Sequence, residues 1–277
     1  MRTKRAGKGY IGVFDSGFGG IDVLRGIVRE LPVYDYIYLG DTARTPYGTR
    51  SKETVYGFSK QAINFLFKNN CRIIILACNT ASSDALRKIQ REYLPRRYPD
   101  KRVLGVLIPA AEEAVLKTVN KKIGVIATEG TVGSGAFVRE ITKLEPAARI
   151  FQKACPLLVP IVEAGEENSK AAKMIIEDYL KPLKKKGIDT LILGCTHYGI
   201  LEGKIRKVVG ARVRIVSESR VVPIKLKGYL KRHREIEKDL RRNGTVRFYS
   251  TDLTDKFIRL GSRFFGRKIK AQKVMFK

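Results

Sequence analysis

The chain has 277 residues, 44% of them apolar, and 55 Lys+Arg against 27 Asp+Glu give a formal net charge of +28. The apolar share excludes wholesale disorder, the length suits one large or two ordinary domains, and no run of 18 apolar residues offers a transmembrane helix. Four Cys are too few for a disulfide scaffold and fit free thiols in a reducing cytoplasm. The basic stretch Met1–Gly9 is not followed by a signal-peptide core, which also points to a cytoplasmic protein. The charge by itself keeps a nucleic-acid-binding protein in play.

Apolar runs of four to six residues alternate with longer amphipathic stretches. A strand at Tyr10–Phe14 precedes a helix at Gly20–Leu31, and Tyr34–Leu39 precedes Ser51–Lys68. Arg72–Ala77 then precedes Ala81–Tyr93, Val103–Ile108 precedes Ala110–Thr118, and Ile123–Ala127 precedes Gly135–Leu144. Ser169–Lys185 reads as a helix, Thr190–Leu193 as a strand, Leu201–Val208 as a helix and Val213–Val216 as a strand. This alternation predicts an α/β fold with mainly parallel sheets flanked by helices. The segment Arg220–Lys277 breaks the pattern and holds 18 Lys+Arg against 5 Asp+Glu, a net +13.

An internal repeat sharpens the architecture. Ile11-Gly12-Val13-Phe14 returns as Ile123-Gly124-Val125-Ile126, 112 residues later, and each is followed by a small-residue loop. Ile73–Ala77 leading into Cys78-Asn79-Thr80 returns as Thr190–Gly194 leading into Cys195-Thr196, at an offset of 117. Two pseudo-symmetric α/β domains are expected, with an active site in the cleft between them. Residues 1–102 with 213–277 would form the first and residues 103–212 the second.

Ligands of parallel sheets bind at the carboxyl ends of strands. Asp15-Ser16, Cys78-Asn79-Thr80 and Cys195-Thr196-His197 all fall at such ends. A thiol just before a helix has its thiolate stabilised by the exposed N–H groups and the helix dipole. The same N–H groups, with Ser16, Asn79, Thr80 and Thr196, suit a carboxylate. Two thiols facing each other across a small acid can invert a carbon centre: one removes a proton and the other delivers one to the opposite face. Asp15, Glu163 and His197 are candidates to adjust the thiols' pKa and carry their protons. Cys71 and Cys155 read as core thiols, and Asp41 as a brace for the loop Thr42–Gly48. His197 lacks the second Cys/His pair that a zinc site would need.

These residues resemble a family. Asp15-Ser16-Gly17-Phe18-Gly19-Gly20, Gly40-Asp41-Thr42-Ala43, Pro46-Tyr47-Gly48, Ala77–Ser82, Ala154–Pro160 and Gly194–Tyr198 look like the ordered motif set of glutamate racemase, a member of the aspartate/glutamate racemase superfamily. The resemblance runs from about Tyr10 to about Leu201, with a further trace at Phe264-Phe265-Gly266. It implies that Cys78 and Cys195 are the acid/base thiols, assisted by Asp15, Glu163 and His197. It implies that Asp15, Ser16, Tyr47, Gly48, Asn79, Thr80, Thr196 and His197 hold the ammonium and carboxylates of glutamate. It further implies interconversion of L- and D-glutamate with neither pyridoxal phosphate nor metal, a supply of D-glutamate for peptidoglycan, and a homodimer. Two departures stand out. Gly199 occupies a position where the family usually has Pro, and Ser217–Pro223 fits poorly to the family's small, acidic helix start.

Two other readings are open. One is a racemase for aspartate or another small acid, because the sequence does not show cleft depth; the pair of thiols argues against a decarboxylase using one Cys. The other is a basic nucleic-acid-binding protein. Against it, the basic residues are dispersed, no recognition motif appears and there is no Trp. The charge is therefore expected to act mainly as surface, to draw an anionic substrate and to give incidental polyanion binding at low salt.

Overall fold

The computed structural model describes residues 8–276; the basic run at residues 1–7, on which part of the N-terminal reading falls, lies outside the described residues. Ten strands form two sheets. The first contains β1 (Tyr10–Asp15), β2 (Tyr36–Gly40), β3 (Cys71–Leu76), β4 (Arg102–Gly105), β9 (Val246–Ser250) and β10 (Ala271–Lys273), in the order β10-β9-β2-β1-β3-β4. The second contains β5 (Lys122–Ala127), β6 (Arg149–Ala154), β7 (Thr190–Gly194) and β8 (Arg214–Ser217), in the order β6-β5-β7-β8. Neighbouring strands are parallel in both sheets. This is the expected α/β class.

The central strands are continuous apolar runs because both of their faces are covered. Every residue of β1, β2 and β7 is buried. Helices start where a hydroxyl can satisfy a free backbone N–H. Ser51, Thr128, Ser169 and Thr254 each accept from the amide three residues on. The internal repeat is visible in the topology. β1 lies between β2 and β3 as β5 lies between β6 and β7. Cys78 follows β3 and Cys195 follows the equivalent β7.

Several boundaries differ from expectation. The apolar run Val103–Ile108 is not one strand: β4 stops at Gly105 and a helix, Leu107–Lys117, begins. Val106, Leu107 and Ile108 are apolar because they enter a helix packed on the core, and a short apolar run does not distinguish the two states. The helix expected over Ala81–Tyr93 is broken into shorter segments, with a π turn at Ile89–Tyr93. β8 pairs with β7, so residues 214–217 belong to the second sheet, and the return of the chain to the first, expected at 213, comes after Ser217. The C-terminal segment then adds β9 and β10 beside β2.

One close packing contact positions the site. The helix Gly20–Glu30 lies against the start of the helix Glu218–Arg232. A Cβ on Gly26 would sit 2.1 Å from the Ser219 carbonyl oxygen, so only glycine permits this approach. The contact carries Glu218 inward, where it is 3% exposed. Among the described residues, no helix is long and apolar enough to cross a membrane.

Candidate active site

Four strand ends converge on one small cavity. Its lining includes Ser16 after β1, Cys78, Asn79 and Thr80 after β3, Thr128 after β5, and Cys195, Thr196 and His197 after β7. The loop Thr45–Gly48 and Val159 close its rim. Both thiols therefore face the same space, one contributed by each sheet. All four cysteines are free thiols; Cys71 and Cys155 are fully buried and do not line this cavity.

Cys78 caps the short helix Asn79–Asp84, and its Sγ accepts from the Ala81 amide at 3.5 Å. Cys195 precedes the turn Thr196–Gly199, with His197 Nδ1 3.9 Å from its Sγ. The donors expected to favour thiolates are thus present. Burial outweighs them. It pushes Cys78 up to about 12, with the nearby Asp15 carboxylate adding to the rise against hydrogen bonds from Ser16 and Ala81. Cys195 is likewise raised well above its ordinary value by the same loss of solvent.

Asp15 ends β1 behind both thiols. Its Oδ2 accepts from Gly17 N at 2.9 Å and its Oδ1 from Thr196 Oγ1 at 3.4 Å. Burial raises its pKa, opposed chiefly by His197. Glu163 reaches the site from the helix Leu158–Ala164. Its Oε1 lies 3.3 Å from His197 Nε2, and Lys256 Nζ donates to its Oε2 at 3.1 Å. Desolvation pushes the Glu163 carboxyl up, but His197 and Lys256 beside it bring it below its ordinary value. It is a carboxylate aimed at the far nitrogen of the histidine beside Cys195.

Of the expected binding residues, all but Asp15 line the cavity, with two differences in role. Tyr47 lines the cavity, but its hydroxyl is engaged in donating to Asp41 Oδ2. Asp41 also takes Arg44 Nε at 2.8 Å and Thr251 Oγ1 at 2.8 Å, and so braces this loop. Gly48 meets the other half of the molecule: its carbonyl accepts from Gly130 N at 2.9 Å, and a Cβ there would press on Thr128. Ser16, Asn79, Thr80 and Thr196 offer polar groups to the cavity, and Thr80 Oγ1 lies 3.1 Å from Thr128 Oγ1.

Three residues were missed. Thr128 is the counterpart of Ser16, at the same offset of 112 that relates the strand openings, so the repeat itself could have located it. Glu218 receives the Asn79 amide at 2.9 Å, and only the anomaly of its segment hinted at it. Lys256 arrives from the helix Asp255–Phe265, for which nothing in the local sequence speaks.

The family model for Asp/Glu/Hydantoin racemase matches residues 11–218. A glutamate racemase of Geobacter metallireducens is 38% identical over 260 residues, which is 94% of this chain and 93% of that one. The crystal structure of glutamate racemase isoform RacE1 from Bacillus anthracis superposes with a TM-score of 0.88 at 34% identity, covering 96% of this chain and 97% of that one. The glutamate racemase of Francisella tularensis, solved in complex with D-glutamate, gives 0.87 at 32% identity, over 97% and 98% of the two chains.

Proposed function

The chain belongs to the glutamate racemase family, and from that premise we propose that it interconverts L- and D-glutamate through Cys78 and Cys195. The observation that carries this reading is the placement of two thiols, from equivalent strand ends of two sheets, on one cavity. A thiolate on one side takes the Cα proton. The thiol on the other side gives its proton to the opposite face of the same carbon. The centre is inverted, and the two sulfurs have exchanged protonation states. A thiolate is needed for each turnover, and burial opposes it. The substrate's own ammonium supplies a cation inside the cavity and lowers the cost of that charge. His197, held by Glu163, serves Cys195; Asp15 lies behind both sulfurs. Ser16, Asn79, Thr80, Thr128 and Thr196, with the backbone at Tyr47 and Gly48, bind the substrate's charged ends.

The same premise supports two domains meeting at this cavity, a cytoplasmic homodimer, and a role in supplying D-glutamate to peptidoglycan. The test is direct. Incubated with either enantiomer in heavy water, without added cofactor, the protein is expected to place deuterium at Cα and erase optical rotation. Cys78→Ser and Cys195→Ser should each lower racemisation by at least about 100-fold, the ordinary reach of positioned acid–base groups. No exchange by the unsubstituted protein would refute the proposal. Full activity with aspartate and none with glutamate would move it to the other acidic substrate.

A further inference from the structure

Asn79 stands between the cavity and a buried carboxyl on its far side. Glu218, brought in by the contact at Gly26, is 3% exposed and accepts from Asn79 Nδ2 at 2.9 Å. An amide has its nitrogen and oxygen on opposite sides, so this bond turns Asn79 Oδ1 away from Glu218. That oxygen is itself buried and has no hydrogen-bond partner, although Asn79 lines the cavity with both thiols. An acceptor left unmatched in a substrate site lacks a donor, and the donor that a glutamate molecule brings is its α-ammonium.

We propose that Glu218 is a positioning residue for racemisation: it fixes the Asn79 amide so that Oδ1 is offered to the substrate's ammonium. The inference rests on the racemase reading above. The groups facing Glu218 are Cys195, Thr196, Asp22, Ser217 and Ser219 around a neighbouring void, with the Asp15 carboxylate also acting on it. None of these is a cation, and burial holds the Glu218 carboxyl well above the usual carboxylate range. An uncharged carbonyl oxygen in this place accepts from Asn79 as well. Glutamine is then its functional mimic.

The experiment compares steady-state racemisation by the full-length protein and its variants, with glutamate affinity measured by calorimetry. Glu218→Ala removes the acceptor and frees the amide to rotate. KM and Kd for both enantiomers are expected to rise about tenfold, with kcat changed far less. Glu218→Gln should restore both to within about twofold. In an Asn79→Ala background, Glu218→Ala should add almost nothing. Glu218→Met, which fills the space without an acceptor, takes the place of the alanine variant if that does not fold. Unchanged KM in Glu218→Ala, failure of Glu218→Gln to rescue, or an equal loss without Asn79 would each overturn the proposal. Absence of turnover in the unsubstituted protein would instead overturn the racemase reading beneath it.

Discussion

Cys78 and Cys195 face opposing demands. The chemistry wants a thiolate, but each sulfur is buried where its charged form is disfavoured. The same conflict has a thermodynamic signature. The thiols of Cys78 and Cys155 are both raised from about 9 to about 12 in the folded protein. A group whose folded pKa is raised contributes stability that is complete below its unfolded pKa and disappears as pH rises through the folded one. Stability is therefore expected to fall between about pH 9 and pH 12, because the unfolded chain releases protons that the fold retains. Differential scanning calorimetry should show a steady drop in Tm across that window. Cys155→Ala removes one titrating thiol outside the site, so its Tm, although lower from the packing lost, should fall less steeply. An equal slope in variant and parent would contradict the assignment. Fold stability and reactivity pull in opposite directions here, and the arriving ammonium reconciles them only while substrate is bound.

At the scale of elements, the sequence was most legible where strands are central. β1, β3, β5 and β7 are buried apolar runs, and they were read nearly residue for residue. The missed strands β6, β9 and β10 lie at or next to sheet edges, where polar residues such as Gln152, Lys153, Arg247 and Lys273 break the apolar pattern. The site followed the same division. Thiols and hydroxyls at the ends of central strands were found, whereas Glu218 and Lys256 depend on how later helices dock. Gly199 shows why. It stands where the family usually has Pro, and a Cβ there would lie 2.7 Å from Asp22 Oδ2, in a carboxylate held by Arg25. The glycine makes room for a neighbouring helix. Gly26 is the stricter case, since the obstacle is backbone: Gly26→Ala must separate its helix from Glu218–Arg232. It is expected to lose about 1–3 kcal/mol in chemical denaturation, as overpacked cores do, and to weaken glutamate binding as well through the displaced Glu218. Gly199→Ala meets only a side chain, and Asp22→Ala should largely rescue it. A neutral Gly26→Ala would show that this contact is not tight.

For the molecule as a whole, the cavity and the charge belong together. The cavity that both thiols line is small, about 40 Å³. Across it, Gly48 meets Gly130, Thr80 meets Thr128, Asp15 meets Thr196 and Glu163 meets Lys256. A net charge of +28 favours the approach of an anionic substrate to that cavity. It also gathers elsewhere. A groove of about 840 Å³ between the helices Lys170–Lys185 and Glu202–Val209 is lined by seven lysines against two glutamates, away from the cavity. Lys173 is paired with Glu177, while Lys184 and Lys204 bond to Val208 O and Asn168 Oδ1. Lys181, Lys185 and Lys207 carry no ion pair among the described residues, which leaves them free to meet phosphates. Low-salt binding of double-stranded DNA is therefore expected to concentrate here. Replacing Lys181, Lys185 and Lys207 together by Gln should lower the slope of log K against log salt by about 2–3, near 0.9 for each lost phosphate contact. Fluorescence anisotropy with a short duplex measures that slope, and removing Arg91, Arg96 and Arg97 together provides the comparison. Racemisation should be unchanged in both triple variants. Equal slopes in the two would mean that the charge acts as a diffuse surface, with no preferred groove.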